Sequence, residues 1–506
     1  MKLLIEHCDL LDPRAPRTRS ARADQSILVD GMRITAIGDA ADIAMQAQNQ
    51  PGLQVIDGRH HLAIPGLISA HTHSPENFLR GAVERDPLEP WLVWLYGTCG
   101  QHTARDHYLA AAMSAIEMLL SGCTGSLDHL WHGGPWSYDI LDSTMQAYRD
   151  SGIRATVAPM FDDHDYVLDA GDALGHDLRA SVYGIAHGAD DAARRAVLLD
   201  NLDIFDDWMT DWQGEANGRL QTFLGPGAGQ LVTAECLRMT LDLARKHGAG
   251  MHMHCVETRV QDYCIRRAHE GRTVTQWMYD EGVLGADVTL PHSVWIRSEA
   301  DLDHLAETGA IPVHNPAANL KLGSGLMALR EMLDHGITVA IGVDGACSND
   351  NQNMFESVKL AALAHNLKSY DPKTWISAKE AVDAATVGGA AAMLLKGEVG
   401  VLQAGKLADI VLLDEHSPVL SPMNDAYNML AYCGGSAAVK HVIVNGEHVV
   451  KDGRIITFDA AAIAQEFRER VDHFPFRHEI DDRTKKDVKI CYAFWWDVMN
   501  RVSNGE

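Results

Sequence analysis

Eight apolar, strand-like runs, each separated from the next by longer stretches with helical patterning, constrain this chain more than any other feature. They are Gly66 to His71, Thr124 to His129, Arg154 to Met160, Leu220 to Gly225, Gly250 to His254, Val288 to His292, Ala310 to His314 and Thr338 to Asp344. Strands alternating with helices are the pattern of a parallel sheet with crossover helices. Eight repeats predict an α/β fold of the (β/α)8 TIM-type barrel class, whose reactive residues lie at the C-terminal strand ends. Six of the runs end in His or Asp, so those ends are where chemistry is to be sought. A Rossmann arrangement is excluded, because no G-x-G-x-x-G follows a strand near the start of the α/β region.

The flanks read differently. Short β-like runs broken by turns fill residues 1–60, as in Ser26-Ile27-Leu28-Val29 before Asp30-Gly31, and the same texture returns over 401–455, where His441-Val442-Ile443-Val444 meets Asn445-Gly446. We expect one small β-sandwich domain built from both terminal segments, around a barrel spanning 61–400; two independent terminal domains are the alternative. Residues 456–506 form a C-terminal extension. Its Cys491-Tyr492-Ala493-Phe494-Trp495-Trp496 is too apolar to hang free, so it is expected to pack on the body or across the interface of a homo-oligomer such as a dimer. Helices are expected over Tyr108 to Ser121 and Glu235 to His247.

Composition removes several function classes. A formal charge of -26 argues against a nucleic-acid or anionic-membrane surface, both of which call for clustered Lys and Arg. The nine cysteines contain no C-x-x-C pair, so neither a zinc ribbon nor a disulfide framework is suggested. With no signal-peptide pattern and no membrane-length apolar run, a cytoplasmic location is expected.

His71-Thr72-His73 closes the first run with two imidazoles one residue apart. Residues i and i+2 of a strand share a face, so both rings converge where a divalent ion can take a nitrogen from each. In the fifth run His254 offers a third nitrogen, and Glu257 follows within reach of a substrate. His252 shares the face of His254 and is read as a packed, hydrogen-bonded residue one layer deeper. His292 ends the sixth run and Asp344 the eighth. Each has an ordinary reading by itself: Glu257 a solvated loop acid, His292 a core histidine, Asp344 a helix N-cap. Their joint placement at strand ends is hard to reach by accident. Three histidines and one weakly held carboxylate leave room for water, whereas structural zinc sites are closed by four ligands. A two-metal site bridged by a carboxylated lysine needs that lysine on a middle strand, but after Lys2 the next is Lys246, on the helix before the fifth run. One metal ion is expected.

These residues resemble the amidohydrolase superfamily and, within it, the mononuclear branch of chlorohydrolases and aminohydrolases that act on triazines, guanine and adenosyl-type substrates. The resemblance covers residues 25–455 and is carried by Pro65 to His73, the H-x-x-E of His254 to Glu257, Leu290-Pro291-His292, His314-Asn315-Pro316 with Asn319 to Gly325, and Val343 to Asn349. It implies that His71, His73, His254 and Asp344 bind zinc, or iron as in some relatives. It implies that His292 and Asp344 orient and deprotonate a water, and that Glu257 protonates a ring nitrogen or the leaving group while ammonia, an amine or a halide departs.

One departure counts against an adenosyl substrate. Nucleoside-acting relatives carry Pro-His-Ala-Pro after the fourth strand, where this chain has Pro226-Gly227-Ala228-Gly229; the glycines are read as a tight turn. The small-molecule substrate is expected to be a flat N-heterocycle, with Asn77, Trp91, Trp94, His129 and Asn319 as candidate pocket residues. Two alternatives stand beside this reading: an amide or urea hydrolase with the same site, and a non-catalytic binding protein on the same fold.

Overall fold

The computed structural model describes residues 2–12, 19–48, 50–98, 102–186, 191–472 and 482–505. Strands from both ends of the chain join in one nine-stranded sheet. The ends meet at its centre: Ile410–Asp414 runs antiparallel to His61–Pro65, with Leu412 opposite Ala63, and His61–Pro65 lies parallel beside Lys2–Leu11. Alternate residues, among them Leu3, Ile5, Ile27, Val29, Ile410 and Leu412, are buried in one cluster, as period-2 alternation dictates. Asn445 and Gly446 both have positive φ (53° and 78°), which makes the two-residue hairpin between Val439–Val444 and Glu447–Lys451.

The chain leaves this sheet at Pro65-Gly66, so the apolar stretch from Leu62 to Ala70 serves two sheets. Glycine is required there by close approach: a Cβ on Gly66 would lie 2.0 Å from Thr124 Oγ1. Beyond it Leu67–Thr72, Cys123–Leu130, Arg154–Phe161 and Leu220–Thr222 pair in parallel. Met251–His252, Val288–Pro291, Ile311–His314 and Ala340–Ile341 form a second parallel set. Pairing continues across both seams. Leu224 bridges Met251 and Ala228 bridges His254, while the Asp344 N–H donates to the His71 carbonyl at 3.0 Å. Nearly every residue of these strands is buried, as in a sheet covered by helices. The fifth and eighth runs keep only short regular strands, and the backbone leaves β geometry just beyond them: Val256 and Asp344 have φ of 31° and 65°.

Helix Ala104–Leu120 begins at a capping box of Thr103 and Asp106, and Ala234–Lys246 begins at Thr233, whose hydroxyl accepts from the Cys236 N–H. A buried bidentate pair, Arg154 to Asp409 with both contacts at 2.9 Å, ties the parallel strands to the terminal sheet. The C-terminal helix Asp482–Ser503 packs Val488, Cys491, Phe494 and Val498 against helix Leu88–Thr98. The extension therefore packs on the body. Eight described cysteines are free thiols, all but Cys433 buried; Cys99 lies outside the described residues. Among the described residues no helix is long and apolar enough to cross a membrane.

Candidate metal centre and cavity

His71, at the end of Leu67–Thr72, is fully buried, and its orientation follows from a chain of hydrogen bonds. The Thr289 hydroxyl donates to the Met251 carbonyl, so its oxygen accepts from His252 Nδ1 at 2.6 Å. His252 Nε2 then accepts from His71 Nδ1 at 2.8 Å. The proton on His71 is thereby fixed on Nδ1, leaving Nε2 as a bare, buried nitrogen with no hydrogen-bond partner. His252 is thus packed and hydrogen-bonded one layer deeper, as its sequence position suggested. His73 Nδ1 donates to the His129 carbonyl at 2.6 Å and His254 Nδ1 to the Gly227 carbonyl at 2.5 Å, so both of these rings also turn Nε2 inward.

The three bare nitrogens converge. His73 Nε2 and His254 Nε2 are 3.1 Å apart, and Asp344 Oδ1 lies 3.4 Å from His71 Nε2 and 3.6 Å from His73 Nε2. Burial holds His71 and His254 well below the ordinary histidine range, reinforced by the neighbouring imidazoles, which keeps them neutral as metal ligation requires. Unprotonated nitrogens and a carboxylate oxygen turned toward one point are the donor set of a divalent cation such as zinc. His129 also brings a nitrogen close to His71, His73 and His254; its Nε2 donates to the Gly225 carbonyl at 3.2 Å, which leaves Nδ1 buried without a hydrogen-bond partner and makes this ring a further candidate donor.

Beside this point stand Glu257 and His292. His292 Nε2 is 3.7 Å from Asp344 Oδ2 and its Nδ1 is 3.5 Å from Glu257 Oε2; Nδ1 also meets Asn319 Oδ1 at 2.8 Å. Burial depresses His292, but the Glu257 and Asp344 carboxylates and Asn319 outweigh it, and the ring sits above the usual range. Glu257 accepts from the Ser324 hydroxyl at 2.7 Å. Burial pushes its carboxyl upward, opposed by His292 and helped by Asp344, which is the direction a general acid needs.

These groups floor a cavity of about 80 Å³ roofed by apolar side chains, including Trp91, Leu95, Trp131 and Leu231. Of the five pocket candidates, Trp91 lines it. The other four do not, for identifiable reasons. The Asn77 amide is spent on Ser74, Ala110 and Ser114; Trp94 packs with the C-terminal helix; His129 lies behind the rings of His73 and His254; Asn319 supports His292. The glycines at 227 and 229 are not among the positive-φ residues, so a left-handed turn does not demand them. At Gly229 a Cβ would meet Val274 Cγ2 at 2.9 Å and at Gly227 Leu231 Cδ1 at 3.3 Å; close packing accounts for both, more tightly at Gly229.

Sequence reasoning missed Glu76. Its buried carboxylate lines the cavity and accepts from the Cys347 and Ser348 N–H groups at 3.1 and 3.3 Å. Burial pushes it up to about 7. Its only signal was an acid shortly after the H-x-H pair.

Comparison with known proteins places this geometry in a family. The model of the amidohydrolase family matches residues 62–449. The chain is 31% identical to a 5-methylthioadenosine/S-adenosylhomocysteine deaminase of Caldanaerobacter subterraneus, over 93% of this chain and 98% of that protein. It is 30% identical to a 5'-deoxyadenosine deaminase of Methanosarcina mazei, over 87% and 91%. Among solved structures, atrazine chlorohydrolase from Arthrobacter aurescens, complexed with zinc, superposes with a TM-score of 0.77 at 27% identity, covering 93% of this chain and all of that one. The chain belongs to the amidohydrolase family and is a hydrolytic enzyme.

Proposed function

We propose that this enzyme is a metal-dependent aminohydrolase of N-heterocycles, breaking an exocyclic C–N bond, or a C–halogen bond, with release of ammonia, an amine or halide. The observation that carries this reading is the convergence of three bare histidine Nε2 atoms and Asp344 at one point beside a buried Glu257. His71, His73, His254 and Asp344 would hold one divalent ion, zinc foremost and iron second. When bound, that ion supplies Lewis acidity that brings a water's pKa towards neutrality. Asp344 Oδ2 and His292 Nε2 face each other and take up the proton that the attacking water gives up. Glu257 passes a proton to a ring nitrogen or to the departing group.

Three acids, Glu76, Glu257 and Asp344, line the cavity and, among the described residues, no Lys or Arg does. With no basic side chain there to pair with it, an anionic ring is disfavoured, and the roof suits an apolar substituent. The relatives' substrates include adenosine derivatives, and Gly227, which lines the cavity, marks where this chain's pocket differs from nucleoside-acting relatives. We further propose a closed (β/α)8 barrel ending at 400, a sandwich-like β unit from the first segment with 401–455, and an extension in 456–506; because His61–Pro65 pairs within the terminal sheet, the first boundary moves from the expected 60/61 to 65/66. We also propose that the protein works as a cytoplasmic homo-oligomer. The test is turnover of a panel of aminated and chlorinated triazines, purines and pyrimidines beside amides and ureas. Ammonia, amine or halide with an intact ring supports the assignment; amine plus carboxylate or carbonate replaces it with an amide or urea hydrolase.

A further inference from the structure

Glu89 is buried to 3% exposure yet lines neither the cavity nor the metal centre. It sits in the first turn of helix Leu88–Thr98, where Oε1 accepts the Thr258 hydroxyl at 2.5 Å and Oε2 is buried with no hydrogen-bond partner. An acid in such a place is expensive to keep unless its contact does something specific. Its field reaches the Cys264 and Cys491 thiols, which belong to the cluster under the C-terminal helix.

Its partner leads directly to Glu257. Thr258 is the N-cap of helix Arg259–Ala268, accepting from the Gln261 N–H at 3.2 Å. The Gln261 side-chain oxygen in turn accepts the Glu257 N–H at 2.7 Å. The backbone just before is strained: Val256 is β-branched and has φ of 31°, a conformation that persists only where surrounding contacts over-determine it. That bend is what aims Glu257 at His292 and the cavity.

We propose that Glu89 is a positioning residue: through Thr258 and Gln261 it holds the strained Val256–Glu257 turn, and so couples the helix that roofs the cavity to the proton donor. The inference rests on the role given to Glu257 above. An amide at position 89 still accepts from Thr258 and brings no charge, so Glu89→Gln is the conservative rescue and Glu89→Ala the deletion.

The experiment uses metal-loaded full-length protein with 5-methylthioadenosine and atrazine as substrate probes. It is paired with deuterium exchange of the backbone amides over residues 255–261. Glu89→Ala is expected to lower kcat by about 10- to 100-fold, the scale of a misplaced catalytic group, with KM and metal content little changed and exchange raised over that segment. Glu89→Gln should restore both. Thr258→Val should reproduce the Ala variant and Thr258→Ser the wild type, so the idea stays testable if Glu89→Ala fails to fold. Wild-type exchange in Glu89→Ala or Thr258→Val, or a loss that Glu89→Gln does not rescue, overturns the proposal. Glu257→Gln run in parallel separates the two readings: if it keeps full turnover, the acid role of Glu257 fails, whereas if it is inactive while Glu89→Ala is normal, only the positioning role fails.

Discussion

The cavity has two halves built by different rules. Its floor is polar and set by strand ends: His71, His73, His254, His292 and Asp344 each stand where a parallel strand stops, their tautomers or contacts fixed by buried neighbours. Its roof is apolar and set largely by one helix, Leu88–Thr98, which turns Leu88, Trp91 and Leu95 into one cluster and Val93 into another beneath the C-terminal helix. A floor of directed lone pairs tolerates almost no substitution, because each donor has a single task at a single position. A roof of dispersion contacts is graded, since neighbours can partly collapse around a change. The first half decides whether there is chemistry, the second on what.

Substitutions should separate the halves in order of size. His73→Ala and Asp344→Ala each remove a donor and are expected to lose metal and at least about 10³ in turnover, given the several kcal/mol a bound ion contributes; metal-replete, fully active variants would refute the ligand set. Glu257→Gln should keep the metal and lose about 10² to 10⁴ in kcat, the usual worth of proton transfer. Metal content and turnover measured on one sample check this, and loss of metal would make Glu257 a ligand instead. On the roof, Trp91→Ala should raise KM about tenfold or more with kcat nearly kept, at a folding cost of about 3–5 kcal/mol seen in a lower Tm. If kcat falls and KM holds, the roof takes part in the chemistry and the contrast breaks down. Gly227→Ala, whose Cβ asks only Leu231 to shift, should change KM by less than about tenfold, and more for bulkier substituents than for small ones.

A pH measurement sharpens the boundary between the halves. Burial raises Glu89 from 4.5 to about 7 in the folded state, so the folded protein binds this proton more tightly than the unfolded chain. The associated stability is present below about 4.5 and is lost as pH rises through about 7. Denaturant unfolding of Glu89→Gln should therefore show a shallower decline than wild type across that window. Parallel curves would mean that Glu89 stays ionised beneath the C-terminal helix.

The floor was legible in the chain because its signals are positional. An H-x-H at the end of an apolar run must present both rings on one face, and the other donors close similar runs. The roof was not legible, because helix Leu88–Thr98 is apolar on two faces and reads as core; nothing local distinguishes Trp91, which lines the cavity, from Trp94, which backs it. Glu89 carried no motif at all, since its meaning comes from Thr258, far along the chain. The passage between sheets was hidden for a related reason: Leu62 to Ala70 is one unbroken apolar stretch, and only the close approach of Thr124 to Gly66 shows where one sheet ends and the next begins.

The claim on which all of this depends is that a single ion is held by His71, His73, His254 and Asp344. Elemental analysis of the purified wild-type protein beside His73→Ala tests it most directly. One divalent ion per chain in the wild type and close to none in the variant is the predicted result; two ions per chain, or an undiminished ion in His73→Ala, would contradict it.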